Sequence, residues 1–269
     1  MTADTVISSM QNAKVRQLLG LQQKSQERRR TGLFVVEGVR EVQRCIDAGY
    51  TLDTLFFCRR LCSPRQLSLW AEAQVVEVSP EVYEKIAYRG STEGVMATVR
   101  TRQQSLYGLP LGENPLLMVV ESVEKPGNLG AILRSADAAM VDAVIVCDPL
   151  TDLYNPNLIR SSVGAFFSVP CVACSSEECI AFLKQHGIRI LTAQLQDSHL
   201  YYDTDMHPAT AIVMGTESTG LTRQWREAAD AHIRIPMLGK VDSLNVSVSA
   251  AILMYEAVRQ RLATKEAKL

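Results

Sequence analysis

The chain has 269 residues, 47% of them hydrophobic and 21% charged, and a net charge of −1. That is enough to bury a sizeable core in one large domain or two ordinary ones, and it excludes disordered or fibrous classes. No apolar run approaches the roughly 20 residues that cross a bilayer. The N-terminal stretch "MTADTVISSMQNAKVRQ" also lacks the basic-then-apolar layout of a signal peptide. No membrane association is expected, and the expected compartment is the cytoplasm.

From the N-terminus, "NAKVRQLLGLQQKS" reads as a helix, "GLFVVEG" as a strand, "GVREVQRCIDAG" as a helix ending at Gly49, and "TLDTLFFC" as a strand. "AQVVEVS", a short helix and "GVMATVR" complete a small α/β domain. Residues 1–105 hold 15 Lys and Arg against 11 Asp and Glu, with basic runs at "KSQERRRTG" and "CRRLCSPR". Such a balance suits a phosphate-rich partner, although a solvated basic face has the same composition. The segment "RTRQQSLYGLPLGENP" has linker composition and sets the expected boundary between 1–105 and 106–269.

Beyond it the alternation is cleaner. "PLLMVVES" is a buried-type strand, the loop "VEKPGN" follows, and "LGAILRSADAAM" is a helix. The strand "AVIVCD", the helix "YNPNLIRSSVGA", the strand "FFSVPCVA" and the helix "SSEECIAFLKQHG" come next. "IRILTAQ" and "ATAIVMG" are strands, "TRQWREAAD" a helix, "AHIRIPM" a strand, and "LGKVDSLNVSVSAAILMYEAVRQR" (238–261) the last long helix, good helix material from Ala250 onward. Strands alternating with helices predict an α/β fold with a mainly parallel sheet covered on both faces.

Four polar, glycine-rich stretches follow strands in the second half, where open α/β sheets hold their ligands. In "EKPGNLGAILRSADA", Gly127 and Gly130 suit a tight turn, with Asn128 beside it and Arg134 one helical turn past Gly130. A dinucleotide fingerprint needs a third glycine, so a Rossmann-type oxidoreductase is the weaker reading. The others are "YNPNLIRSSVGA", "VMGTESTGLT" with Glu217, and "RIPMLGKVDSLNVS". In the last, Asp242, Ser243 and Asn245 interrupt apolar residues in the manner of an elaborate helix cap.

Other clusters carry bland readings. Seven cysteines are expected as free thiols, and the spacing Cys171-x-x-Cys174 has no second pair to complete a zinc site. "QDSHLYYDTDMH" (196–207) is expected as a solvated loop, and no metal is expected anywhere. His186 and His232 are assigned to element ends. Trp225 and Tyr154 could stack a base, with core packing at least as strong a reading.

In order along the second half stand Asn128-x-Gly130-x-Ile132-x-Arg134-x-Ala136, Arg160-Ser161-Ser162-x-Gly164-Ala165, Gly215-Thr216-Glu217-Ser218-x-Gly220-Leu221, Ile235-Pro236-Met237 and Ser243-Leu244-Asn245-Val246-Ser247. This series resembles the successive motifs of the SpoU/TrmH family of RNA 2′-O-ribose methyltransferases, within the SPOUT superfamily. The first half looks like the L30e-like substrate-binding domain that many members carry, and Glu93 stands where related sequences often have Gln.

The resemblance implies an L30e-like domain at 1–105 and a SPOUT domain at 106–269 whose C-terminal chain forms a trefoil knot. It implies S-adenosyl-L-methionine as methyl donor and a homodimer with its site at or near the subunit interface. RNA is the implied substrate, with rRNA favoured over tRNA. A non-catalytic RNA-binding protein on the same fold is a further alternative. By position, Thr192, Ala193, Gly215, Glu217, Ile235, Pro236, Met237, Leu244 and Asn245 should hold the cofactor. Arg134, Asn128, Glu217, Ser243 and Asn245 should serve catalysis.

Overall fold

The computed structural model describes residues 6–62, 70, 74–88, 93–216 and 219–266. Its contacts group the chain into two units, Met1–Gln103 with Tyr154–Phe167, and Gln104–Leu153 with Ser168–Leu269.

The first unit is built on a four-stranded sheet. Its strands are β1 (Leu33–Glu37), β2 (Leu52–Phe57), β3 (Gln74–Glu77) and β4 (Val95–Arg100), in the order β1-β4-β2-β3. β4 runs antiparallel to β1 and β2, and β3 parallel to β2. Helix α1 (Ala13–Gln23) starts where the Asn12 side chain accepts from the Lys14 amide. It buries Val15, Leu18 and Leu21 against Leu33, Val35, Phe56 and Met96, each worth about 2 kcal/mol of apolar burial. The run "SQERRRT" forms a helix of its own, α2 (Ser25–Thr31), which the charge reading did not anticipate. Arg28 of that run is buried with its guanidinium on the Leu21 carbonyl, and Arg30 pairs with Glu27. α3 (Val39–Asp47) follows Gly38 at φ 103, and α4 (Pro80–Ile86) has a Ser79 cap and Pro80 in its first turn.

Tyr154–Phe167 packs with this unit, which departs from the single break expected near residue 105. α6 (Pro156–Ser161) is capped by Asn155. The cause of the grouping is aromatic: Tyr154 lies 4.6 Å from Phe34 between ring centroids, and Phe167 meets both Phe34 and Tyr50. The Tyr154 hydroxyl donates to the Arg102 carbonyl at 2.7 Å and accepts from its amide at 2.8 Å. Tyr154 is therefore a packing residue.

The second unit is a seven-stranded sheet of β5 (Leu116–Glu121), β6 (Ala143–Cys147), β7 (Cys171–Cys174), β8 (Arg189–Ala193), β9 (His199–Leu200), β10 (Thr210–Met214) and β11 (Ala231–Arg234). The order is β7-β6-β5-β10-β8-β11-β9, and every neighbouring pair is parallel. Side chains alternate between faces. Leu117, Val119, Ile145, Ala211 and Val213 meet Phe182 and Leu183 of α8 (Ser176–Gln185) and Trp225 of α9 (Arg223–Ala228). The intervening residues, among them Met118, Val120, Val144 and Ile212, are equally buried. Helices α5 (Pro126–Ala138) and α10 (Val246–Glu266) pack on each other, α5 against β6 and α10 against β5 and β10.

Three local readings change. "FFSVPCVA" begins as a short helix, α7 (Ala165–Ser168), and the strand starts only at Cys171, because Pro170 lacks the amide a ladder needs. The loop 196–207 contains β9 and a 3-10 turn at Tyr201–Asp203. α5 begins at Pro126, so Gly127 and Asn128 lie in its first turn, and neither Gly127 nor Gly130 has a positive φ.

Candidate functional site

A cavity of about 370 Å³ opens beyond the carboxyl ends of β8, β10 and β11, within the range of small-molecule pockets. Ala193, Gly215, Ile235, Met237, Ser243 and Leu244, all anticipated from the motifs, line it. Met214, Leu221, Ile233 and Leu253 supply apolar side chains, while Thr216, Thr219 and Asp242 add polar groups. Residues from three separate strand ends and the start of α10 thus meet around one space.

The loop after β10 is tight. Thr216 and Gly220 form a bridge, the Gly220 amide donates to the Thr216 carbonyl at 3.1 Å, and the Thr219 amide donates to the Thr216 hydroxyl at 3.0 Å. Gly220 sits at φ 67. A Cβ on Gly215 would overlap the carbonyl carbon and oxygen of Gly220, so only glycine lets the two backbones pass. Glu217 and Ser218 lie outside the described residues.

Asn245 both caps and bridges. Its Oδ1 accepts from the Ser247 amide at 2.9 Å and the Ser247 hydroxyl at 2.6 Å, and its own carbonyl accepts from Val248 and Ser249. Its Nδ2 donates to Asn128 Oδ1 at 3.2 Å. Asn128 lines a smaller pocket of about 190 Å³, whose wall shares Gly215, Thr216 and Val246 with the larger cavity. Asn245 lies beside the cavity rather than in its lining. The overbuilt helix start is thus a cap tied to the first turn of α5.

Other anticipated residues stand apart. Thr192 is fully buried, with its hydroxyl 2.6 Å from His232 Nδ1, because strand alternation turns it away from the side that Ala193 faces. Pro236 is not part of the lining, although its neighbours are. Arg134 is exposed on α5. Six residues separate it from Asn128, about 120° around a helix, so the two side chains leave on different faces. Arg160 stacks over the Tyr88 ring at 3.9 Å and the Ser162 hydroxyl donates to Ile159, so that motif packs inside the first unit. Trp225 is buried with its indole N–H on the Ser176 hydroxyl. His186 packs on Phe182 and contacts its carbonyl.

Motif reading missed Arg226, Arg234, Gln194 and Gln196, which also line the cavity. Arg226 lies one turn along α9, and Arg234 ends β11 with its guanidinium on the Ser198 carbonyl. Arg234 directly precedes the Ile235-Pro236-Met237 motif and Arg226 follows Gly220-Leu221 by five residues, and that nearness to a motif was the available signal.

Comparison with known proteins now fits this geometry. The family model described as the SpoU rRNA Methylase family matches residues 115–255, and one for an MRM3-like substrate binding domain matches residues 12–97. The 23S rRNA (uridine(2479)-2′-O)-methyltransferase of Streptomyces viridochromogenes is 30% identical over 95% of this chain and 93% of its own length. The 23S rRNA (guanosine-2′-O-)-methyltransferase RlmB of Vibrio parahaemolyticus is 36% identical over 71% of this chain and 80% of its own. The crystal structure of the SpoU methyltransferase AviRb from Streptomyces viridochromogenes in complex with AdoMet superposes with a TM-score of 0.86 at 30% identity, covering 94% of this chain and all of that one. The chain belongs to the SpoU rRNA methylase family.

Proposed function

We propose that the protein is an S-adenosylmethionine-dependent RNA methyltransferase that methylates a ribose 2′-hydroxyl, with ribosomal RNA as its substrate. The observation that carries this reading is the convergence of Gly215, Ile235, Met237, Ser243 and Leu244 on one cavity at the carboxyl ends of the strands. The fit to the cofactor is physical. Apolar side chains suit the adenine and the methionine chain, the half-buried Gly215 backbone in the cavity wall offers donors and acceptors, and Asp242 suits a hydroxyl or a cationic centre. The bound sulfonium supplies an activated methyl group.

The chain's own residues must align a weak nucleophile and accommodate the charge it develops. Arg134, exposed on α5, is suited to hold the RNA phosphate bidentately and set positive charge near the forming alkoxide. A guanidinium stays protonated in proteins, so the role is electrostatic and positional. Asn128 and Asn245, bonded to each other, fix the relation between α5 and the start of α10. Ser243 lines the cavity beside them, and Glu217 belongs to the same catalytic set by motif position. Thr192 acts through its bond to His232 rather than by touching the cofactor.

Residues 1–105, with Tyr154–Phe167 grouped with them, serve as the RNA-binding unit, and the rest of 106–269 as the catalytic unit. A homodimer completes the site. Its support is the apolar stripe Val248, Tyr255 and Leu262, exposed at seven-residue spacing on α10, with Leu238 and Val241 also exposed. Because Arg134 leaves α5 on a different face from Asn128, a second copy is the natural way to combine both functions. A trefoil knot belongs to this reading, as does a cytoplasmic location; among the described residues no helix is long and apolar enough to cross a membrane.

The test is transfer of labelled methyl groups to ribosomal RNA. Wild type should transfer, Arg134→Ala should lose about 2–4 kcal/mol of transition-state stabilisation, and Arg134→Lys should recover part of it. Equal rates for all three would refute the assignment. Tight binding of a nicotinamide dinucleotide in place of the sulfonium cofactor would favour the oxidoreductase reading.

A further inference from the structure

Three of the seven cysteines meet at one point. Cys147 ends β6, Cys174 ends β7 as its register partner, and Cys179 lies near the start of α8 over the same sheet face. Their sulfurs all lie within 4.8 Å of one another, with those of Cys147 and Cys174 3.9 Å apart. Cys147 and Cys179 are fully buried and Cys174 half-buried. Cys171, three residues before Cys174 on an extended strand, points to the opposite face and takes no part. The pair whose spacing is visible in the sequence is therefore not the pair that meets.

Thiols serving as small apolar fillers have no reason to converge, because any methyl group packs as well. Thiolates sharing one cation do. With Zn–S bonds near 2.3 Å, three sulfurs stand about 4.0 Å apart in a trigonal array and about 3.8 Å in a tetrahedral one. The Cys147–Cys174 spacing already has that value, and the widest pair needs to contract by less than about 1 Å.

We propose that Cys147, Cys174 and Cys179 form a three-thiolate site for a single thiophilic cation of the zinc class, separate from the methyl-transfer cavity. β6 and β7 form one edge of the sheet, whereas the cavity lies past β8, β10 and β11. Half-exposed Cys174 gives the cation a way in. On binding, the three thiols release their protons to solvent and three Cys–metal bonds form, with no change of oxidation state. Asp148 adds negative charge beside Cys174, while its carboxylate is occupied by the Ser176 amide and hydroxyl. The first three ligands are thus sulfur, which selects soft cations over magnesium or calcium.

The experiment titrates the full-length chain, reduced and stripped with a chelator, with Cd²⁺ and separately with Zn²⁺. The expected result is one equivalent per chain, ultraviolet cadmium–thiolate absorption sized for three bonds, and a Zn²⁺-dependent rise in thermal midpoint. Cys174→Ser, Cys147→Ala and Cys179→Ala should each weaken binding at least about tenfold, while Cys171→Ala and Cys58→Ala leave it unchanged. Cys174→Ser should still bind S-adenosylmethionine as wild type does, which separates this site from the cofactor cavity. Absence of stoichiometric binding, unchanged cadmium absorption in Cys174→Ser, or air oxidation to a Cys147–Cys174 disulfide that Zn²⁺ does not prevent would each overturn the proposal.

Discussion

Replacing Asn245 with alanine removes three hydrogen bonds at once, two to Ser247 within the helix start and one to Asn128 of α5. Loss of an N-cap costs about 1 kcal/mol. The solvent-exposed bridge adds about 0.5 kcal/mol, the low end for a neutral pair. The sum of about 1.5 kcal/mol is roughly a twelvefold increase in opening of the first turn of α10. Val246 and Ser249 of that turn line the cavity, so cofactor affinity should fall by a similar factor while the fold survives. Asn245→Asp separates the two roles: it keeps the oxygen that accepts from Ser247 but loses the amide that donates to Asn128. Aspartate at a helix start is also favourable to the dipole. Amide exchange of residues 246–249 should therefore stay near wild type in Asn245→Asp and quicken about tenfold in Asn245→Ala. Calorimetric titration with S-adenosylmethionine reads the affinity. Wild-type exchange and affinity in Asn245→Ala would refute the reasoning, since the cap would then hold nothing the site uses.

Gly215→Ala should push the 215–221 loop aside, because the added methyl overlaps the Gly220 backbone. With overpacking worth about 1–3 kcal/mol, cofactor affinity should fall about 10- to 100-fold while circular dichroism stays unchanged. Tyr154→Phe keeps the ring on Phe34 but loses both bonds to Arg102; urea unfolding should report a loss of about 1 kcal/mol. Glu256 is held below its ordinary value of 4.5 by hydrogen bonds from Arg259 and, secondarily, Gln260. Because the depressed value belongs to the folded state, this contribution is present above the ordinary value and lost as pH falls through the folded one. Thermal midpoints measured on acidification should therefore drop less steeply in Glu256→Gln than in wild type.

Hydrophobic periodicity made most strands and long helices readable, since β5, β6 and β10 are continuous apolar runs buried on both faces. It failed where the decisive partner lies far along the chain. Tyr154–Phe167 reads as an ordinary crossover helix, yet Phe34 and Tyr50, more than a hundred residues earlier, draw it into the first unit. "RRR" reads as a charge run, yet Arg28 is buried on a backbone carbonyl. Motif residues beside glycine turns were legible because close backbone approach leaves a compositional trace, as at Gly215. Arg226 and Arg234 carry no such trace. Cys147 and Cys174 lie 27 residues apart and meet only through strand register, which no local spacing shows.

Nucleoside analysis of ribosomal RNA treated with the purified protein and labelled S-adenosylmethionine tests the central claim most directly. Complete digestion should release the label in a single 2′-O-methylated nucleoside, and Arg134→Ala should abolish most of it. Label on a base, or none in RNA while the cofactor remains bound, would contradict ribose methylation as the function of this cavity.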